Sequence, residues 1–244
     1  MSLNFRKQIV KNGDVNISVN VMGSGEPLLL IHGYPETHLT WHKIVPELAQ
    51  RYTVICPDVR GNGGSDKPVG GPDHSNYSKR ALASDMIAIM DELGFETFKV
   101  VGHDRGARIT HRLCLDYPSR VTKAVLLDII PTRTLYETVN KDVATAYFHW
   151  FFLIQKAPIP ETLIGGNPIK FLHWGLSTRI GGIDAVDPVA LADFEKNFLD
   201  PDAIHATCED YRAGATIDLE HDKADSDAKI QCPLLVIWGN LAPM

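Results

Sequence analysis

Short apolar runs alternate with amphipathic stretches along the first 130 residues of this 244-residue chain. Four mainly aliphatic runs are typical of strands buried on both faces of a sheet: residues 28–31, 53–56, 98–101 and 124–127. Three stretches between them carry apolar residues at helical spacing: residues 41–50, 78–93 and 105–117. The alternation predicts a doubly wound α/β fold with a mostly parallel sheet.

The pattern changes character at both ends of this region. Residues 15–21 alternate apolar and polar and lead into a Gly-Ser-Gly turn, which predicts an antiparallel hairpin strand at the sheet edge. After Pro131 the pattern is helical and rich in aromatic clusters, until a buried-strand signature returns at 233–239. We therefore expect a core over 1–131, an inserted helical cap over 132–225, and a return to the core over 226–244.

Composition narrows the class of protein. A net charge of -6 without a Lys/Arg run argues against a nucleic-acid partner. No apolar stretch approaches the roughly 20 residues of a membrane span, and the N-terminus has no signal-peptide pattern, so we expect a cytoplasmic protein and no membrane association. The four cysteines are far apart in sequence and form no C-x-x-C, which predicts reduced, mostly buried thiols and no zinc site or disulfide framework.

The pentapeptide Gly-His-Asp-Arg-Gly at 102–106 is the main candidate for chemistry. It follows an apolar run and opens a helical pattern, the setting of a nucleophile elbow, where small residues two before and two after the centre allow a tight turn. Here the central residue is Asp104. A carboxylate attacks saturated carbon and leaves an ester for water to cleave, so the elbow indicates displacement at an sp3 carbon. Taken alone the pattern is weak, and an Asp that caps the helix remains an alternative.

Other polar residues follow the ends of predicted strands, where sites gather in parallel sheets. The backbone N–H groups of Tyr34 and Arg105 are candidates for an oxyanion hole, or for a cradle that binds a carboxyl group or a halide. We expect His32 to brace its turn. Asp128 ends the strand after the elbow strand and is placed to orient a catalytic imidazole, with capping or turn formation as an equal alternative.

Two arginines on the first turn of the elbow helix suggest an anionic substrate. Arg105 and Arg108 are three residues apart and share a helix face. Guanidinium groups beside the nucleophile help to keep it ionised and can bind a second carboxylate carried by the substrate. The alternative for Arg108 is a surface ion pair.

Several segments together resemble one family. The stretches 102–108 (GHDRGAR), 128–132 (DIIPT), His149-Trp150 and 208–215 (CEDYRAGA) are similar to haloacetate (fluoroacetate) dehalogenases of the α/β-hydrolase fold. The resemblance implies that Asp104 displaces halide from a 2-haloacid, and that Arg105 and Arg108 hold the substrate carboxylate. It also implies halide donors and an orienting acid, with no metal or organic cofactor. The implied halide donors are His149, Trp150 and Tyr211, and the implied orienting acid is Asp128. Without the resemblance, the pattern assigns His149 and Trp150 to an apolar helix that packs on the core.

The family's general-base histidine follows the last strand of the sheet, and the sequence ends at Met244 soon after the strand at 233–239. We therefore expect this base to be absent from the chain and a final strand and helix to be missing. The expected consequences are an uncovered hydrophobic sheet edge and at most one turnover. The simpler expectation is that the 244 residues are an incomplete form of a longer active enzyme, and a naturally short chain is the alternative.

Two other functions stay open from the sequence. An epoxide hydrolase uses the same elbow with two cap tyrosines, for which Tyr136, Tyr147 and Tyr211 are available, although an Arg directly after the nucleophile argues against it. A non-catalytic ligand-binding protein of the same fold is the second alternative. The preferred halogen is not determined by the sequence, and the family resemblance makes a homodimer plausible.

Overall fold

The computed structural model describes residues 4–178 and 181–240. Its centre is a seven-stranded sheet in the order β1-β2-β4-β3-β5-β6-β7. The strands are β1 Arg6–Asn12, β2 Val15–Met22, β3 Glu26–Ile31, β4 Tyr52–Pro57, β5 Phe98–His103, β6 Val121–Leu127 and β7 Leu234–Ile237. The five strands from β4 to β7 in this order run parallel, and β2 is antiparallel to both β1 and β4. The predicted doubly wound sheet is confirmed.

Helices lie between the strands and continue through the insertion after β6. Their bounds are α1 Val45–Leu48, α2 Lys79–Glu92, α3 Arg105–Asp116, α4 Thr132–Thr138, α5 Lys141–Ala146, α6 Phe148–Leu153, α7 Ile159–Gly165, α8 Pro168–Ser177, α9 Pro188–Phe198, α10 Pro201–Ala215 and α11 Ile217–Ala224. The helix predicted over 41–50 is instead a 3-10 turn, His38–Trp41, followed by the short α1. Pro46 has no N–H to donate to the preceding turn, so α1 starts next to it.

Successive residues of the central strands face two different cores. Leu29 and Ile31 pack with α2 and α3, whereas Leu28 and Leu30 pack with Trp41 and the α1 side. This alternation explains the uninterrupted apolar run at 28–31, because both faces of β3 are covered.

The two outer strands differ from the sequence prediction. Residues 15–21 were predicted to form the edge strand, but β2 lies between β1 and β4, and β1 is the edge. In β1 only Val10 is buried, and its charged residues hide the strand pattern. At the other edge, β7 was predicted to be buried, yet its side chains are between 38% and 54% exposed. Within the described part of the chain they form an exposed hydrophobic edge, as expected from the sequence.

We call the helices α4 to α11, between β6 and β7, the cap. They enclose a separate cluster of buried side chains that includes Leu135, Trp150, Phe194 and Tyr211. The boundaries predicted for a cap domain at 132–225 stay a prediction. Among the described helices, none has the length and apolarity needed to cross a bilayer. Cys56, Cys114 and Cys208 are buried, Cys232 is half-buried, and all four are free thiols.

Candidate active site

Asp104 stands at a sharp turn between β5 and α3. Its backbone has φ 48° and ψ −117°, a conformation that costs a non-glycine residue free energy. The turn closes because Gly102 and Gly106 have no side chains. A Cβ on Gly106 would lie 2.2 Å from the carbonyl oxygen of Ile31, and one on Gly102 would lie 2.4 Å from that of Gly106. This is the geometry of a nucleophile elbow.

The loop after β3 approaches the same carboxylate. A Cβ on Gly33 would lie 2.6 Å from the Cβ of Asp104, so only glycine fits there. The backbone N–H of Tyr34 donates to Oδ1 of Asp104 at 2.9 Å. The N–H of Arg105 belongs to the first residue of α3 and has no acceptor within the helix. The two backbone groups predicted to form an oxyanion hole therefore flank Asp104, and Tyr34 already contacts it.

Arg105 is buried between the core and the cap. Its Nε donates to Oδ2 of Asp210, its Nη2 donates to the Asp210 carbonyl oxygen at 2.7 Å, and its guanidinium lies 4.2 Å from the Tyr211 ring centroid. Burial opposes the charge, but Asp210, Tyr211 and Asp104 outweigh it and raise the pKa of Arg105. Nη1 is buried and has no hydrogen-bond partner among the described residues. One edge of the guanidinium is thus held and the other is available.

Arg108 is also buried, and not in the surface ion pair considered from the sequence. Its Nη1 donates to the carbonyl oxygen of Ile130 at 2.6 Å and to Oγ1 of Thr132 at 3.2 Å. Its guanidinium lies 4.4 Å from the Trp150 ring centroid. Burial and the nearby charge of Arg105 lower the pKa of Arg108. The low dielectric that causes this also strengthens its attraction for an anion.

The predicted halide donors meet in the cap above these arginines. Tyr211 makes edge contacts with His149 and Trp150, with ring centroids 5.8 Å and 5.6 Å apart, and with Tyr34 at 5.5 Å. His149 stacks on Tyr34 at 5.8 Å. The Tyr211 hydroxyl is buried without a hydrogen-bond partner among the described residues, and burial raises its pKa well above the usual range. It therefore remains an O–H donor at every working pH.

Comparison with known proteins identifies the family to which the chain belongs. A family model described as alpha/beta hydrolase fold matches residues 26–244. The chain belongs to the α/β-hydrolase fold family. It is 49% identical to a fluoroacetate dehalogenase of Burkholderia sp over 98% of this chain and 79% of that protein.

Other similar proteins include one with a different named activity. A soluble epoxide hydrolase of Corynebacterium sp. (strain C12) is 30% identical over 89% of this chain and 74% of that protein. The crystal structure of a Nostoc sp PCC 7120 protein superposes with a TM-score of 0.94, at 53% identity, and covers 97% of this chain and 81% of that one. The identities place this hydrolase nearer to the dehalogenase than to the epoxide hydrolase.

Asp128 directly follows β6 in the hydrolase, with φ 58°. Its side chain is exposed, and Oδ1 accepts a hydrogen bond from the backbone N–H of Gly239 at 3.1 Å. Among residues 4–178 and 181–240 no histidine is hydrogen-bonded to Asp128. The structure thus places it after the strand next to the elbow strand, as predicted, and its role as an orienting acid stays a prediction.

His32 has a bracing role in the loops below the site. Its Nε2 accepts from the Val59 N–H at 2.9 Å, and its Nδ1 lies 3.0 Å from the Gly33 carbonyl oxygen. Burial, only partly opposed by Asp58, lowers the pKa of His32 and keeps it neutral. The Asp58 carboxylate in turn binds the His38 ring at 2.7 Å. These contacts fix the turns after β3 and β4.

Two cavities flank the arginines. One is lined by residues that include Tyr34, Arg105 and Tyr211, and the other by residues that include Arg108 and Thr132. Neither includes Asp104 among its lining side chains in the part of the chain described here. The described residues contain no cluster of three His, Cys, Asp or Glu side chains suited to a metal ion.

Sequence reasoning missed the groups that hold the two arginines. Asp210 binds Arg105 across 105 residues of sequence, and the Ile130 carbonyl binds Arg108. The one available signal was the position of Asp210, next to Tyr211 in the segment 208–215. An acid on the buried face of a cap helix needs a cation, and Arg105 is such a partner.

Proposed function

We propose that this hydrolase removes halide from haloacetates, or 2-haloacids, by hydrolysis through an ester of Asp104. One observation carries the proposal. The Asp104 carboxylate, at a nucleophile elbow, lies beside the buried guanidinium groups of Arg105 and Arg108, and three cap side chains lie above them: His149, Trp150 and Tyr211. A carboxylate nucleophile suits displacement at saturated carbon rather than acyl transfer, and the two guanidinium groups suit a substrate that carries a negative charge. The Burkholderia relative named as a fluoroacetate dehalogenase supports the same assignment.

Substrate binding relies on the arginines. The unpartnered Nη1 of Arg105 and the buried guanidinium of Arg108 attract the carboxylate of the substrate. Each charge-assisted hydrogen bond in such a site contributes about 1.5–3 kcal/mol. Two of them hold a small anion on a protein whose net charge of -6 repels it.

In the first chemical step Asp104 attacks the carbon that carries the halogen. The C–O bond to Asp104 forms as the carbon–halogen bond breaks, and the electron pair leaves with the halide. Oδ1 is already held by the Tyr34 N–H, so Oδ2 forms the ester bond. Hydrogen bonds from His149, Trp150 and Tyr211 stabilise the departing halide in a site that excludes water.

In the second step water attacks the carbonyl carbon of the Asp104 ester and releases the hydroxy acid. The negative charge then develops on Oδ1, where the N–H groups of Tyr34 and Arg105 stabilise it. Asp128, at the end of the neighbouring strand, orients the histidine that deprotonates the water. The family resemblance puts that histidine after β7, but residues 238–244 contain none, so the 244-residue sequence supplies the orienting acid of this step and not its base.

The test is peptide mass mapping after incubation with fluoroacetate in water enriched in ¹⁸O, with enzyme in excess. Ester hydrolysis transfers one water oxygen to Asp104, so either a carboxymethyl ester on Asp104 or an ¹⁸O label there supports the proposal. Asp104→Asn, which keeps the shape but not the charge, is the control, and we expect its halide release to fall at least about a thousandfold. Unmodified Asp104 with both fluoroacetate and chloroacetate would contradict the dehalogenase assignment.

An epoxide hydrolase is the second candidate. Two buried cap hydroxyls, those of Tyr136 and Tyr211, lack partners in the described structure and could protonate an epoxide oxygen. The Corynebacterium relative gives this candidate weaker support. Diol formation from styrene oxide, with no ester from any haloacetate, would favour it over the dehalogenase. No reaction with either substrate class, together with ligand binding, would favour the non-catalytic alternative.

The expected cytoplasmic location and homodimer are also proposals. The homodimer rests on the family resemblance. Cell fractionation tests the location, and sedimentation at several protein concentrations tests the dimer.

A further inference from the structure

Four charges of alternating sign, three of them buried and the fourth, on Asp210, half-buried, connect the nucleophile helix to the cap. Arg105 contacts Asp210, Asp210 Oδ1 accepts from Lys79 Nζ at 2.5 Å, and Lys79 Nζ lies 3.6 Å from Asp218 Oδ2. Asp218 Oδ1 also accepts the backbone N–H of Lys79 at 2.8 Å. Two members are on the core helices α3 and α2, and two are on the cap helices α10 and α11.

Joining the core and the cap through this chain of charges carries a high desolvation penalty. Removing charges from water costs several kcal/mol per ion, and well-packed apolar side chains often stabilise as much or more. Burial opposes ionisation of Asp210, yet Arg105 and Lys79 outweigh it and lower the pKa of its carboxyl. The arrangement therefore calls for a role other than stability, and the geometry around Arg105 supplies one.

Asp210 and its neighbour Tyr211 fix the Arg105 guanidinium in two directions. The Asp210 carboxylate and carbonyl oxygens hold the edge formed by Nε and Nη2, and the Tyr211 ring lies against the face. Two consecutive residues of α10 thus define both the plane of the guanidinium and its rotation in that plane. The opposite edge of the guanidinium remains for a ligand, and its Nη1 is buried and without a partner among the described residues.

We propose that Asp210 is a positioning residue that sets the angle at which the substrate carboxylate is held relative to Asp104. The inference rests on the proposed function, in which Arg105 binds that carboxylate. A small haloacid has one carbon between its carboxylate and its halogen, so the orientation of the carboxylate also fixes the line of attack. Misplacement by about 1 Å at such a site can lower a rate roughly a hundredfold.

The position of Asp210 also ties this alignment to the cap. Arg105 is on α3 of the core, whereas the acid that orients it is on α10 of the cap. The carboxylate site is therefore complete only when α10 lies against α3, as it does in this structure.

The experiment measures the first-order rate constant for alkylation of Asp104 by chloroacetate at saturation, and the substrate concentration that gives half that rate. Asp210→Asn keeps the side-chain size and removes the charge. Asp218→Asn is the matched control, because it breaks the same chain of charges beyond Lys79 without touching Arg105. We expect Asp210→Asn to lower the saturated rate roughly a hundredfold and Asp218→Asn to stay within about threefold of wild type.

Each of the other outcomes overturns the inference. Equal losses in both variants would mean that the charges serve the fold alone. A wild-type saturated rate in Asp210→Asn, with half-saturation at lower chloroacetate, would mean that Asp210 only offsets the charge of Arg105. A wild-type protein that never alkylates Asp104 would remove the proposed function itself, which separates the two failures.

A second variant covers the case in which Asp210→Asn does not fold. Lys79→Gln removes the other cation that anchors Asp210 and leaves the contacts to Arg105 in place. A loosened Asp210 should lower the saturated alkylation rate about tenfold. A rate equal to that of wild type in folded Lys79→Gln would contradict the positioning role.

Discussion

The two sides of the candidate site are built by different means. On the core side, backbone conformation places the groups: Asp104 at positive φ, three glycines in close contact, and the Tyr34 N–H. On the cap side, side chains place one another through ring contacts and ion pairs, as Tyr211 and Asp210 do. On the core side the positions follow from backbone conformation and close backbone packing, whereas on the cap side they follow from contacts between side chains.

This contrast predicts that a core-side substitution damages both fold and chemistry. Gly106→Ala would put a Cβ 2.2 Å from the Ile31 carbonyl oxygen and 2.4 Å from that of His32, and backbone cannot move away cheaply. We expect a loss of about 3 kcal/mol in the free energy of unfolding, measured with urea, and no detectable alkylation of Asp104.

The matched control is another helical glycine with open space around it. A Cβ on Gly175, in α8 of the cap, would meet no atom of the surrounding structure within 4 Å, so Gly175→Ala should raise stability by up to about 1 kcal/mol. Similar changes in unfolding free energy and in alkylation for Gly106→Ala and Gly175→Ala would contradict the proposed difference between the core side and the cap side.

A cap-side substitution should instead separate chemistry from stability. The Tyr211 hydroxyl is buried without a partner in the described structure, so Tyr211→Phe removes no intramolecular hydrogen bond and keeps the ring against Arg105. We expect unchanged or slightly higher thermal stability and a ten- to hundredfold slower alkylation rate, because one halide donor is lost.

Tyr136→Phe is the control for this prediction. Its hydroxyl is equally buried and unpartnered among the described residues, and its ring packs on Trp150 at 5.6 Å. The dehalogenase proposal gives it no donor role, so its alkylation rate should match wild type. A loss equal to that of Tyr211→Phe would point to the pair of tyrosines expected in an epoxide hydrolase.

The last prediction has the smallest expected effect. It tests whether side-chain contacts on the core side contribute as little as the comparison of the two sides suggests. Although burial opposes it, the contact with His38 lowers the pKa of Asp58 from 3.8 to about 2. Because the pKa of Asp58 is lower in the folded than in the unfolded state, its carboxylate stabilises the folded protein at pH values above the unfolded-state pKa. This contribution is lost as the pH falls from about 4 to about 2. Asp58→Asn should remove roughly 2 kcal/mol of this pH-dependent stability.

Unfolding free energies at several pH values measure this difference. Asp14→Asn, at an exposed carboxylate in the β1–β2 turn, is the control and should follow wild type throughout. A constant difference in unfolding free energy between Asp58→Asn and wild type over the acid range would show that the Asp58–His38 contact makes no pH-dependent contribution to stability.

The same contrast explains what could be predicted from the sequence. The elbow is a local feature, so its strand, its glycines and Asp104 could be predicted from one short stretch of sequence. The cap residues His149 and Trp150 looked like packing residues, and only the family resemblance gave them a role. The role of Asp210 was not predicted because its partner, Arg105, is 105 residues away in sequence. Strand β1 was missed because its charged side chains conceal a weak alternation.

The strained backbone at Asp104 has a consequence for how variants of this protein would be selected. A residue with φ 48° and ψ −117° carries a conformational cost on the order of 1–3 kcal/mol that glycine would largely avoid. The nucleophile is therefore a position where inactivation relieves strain. Libraries ranked by expression or heat resistance alone would enrich inactive chains, so an engineering campaign on this scaffold has to score turnover in every round.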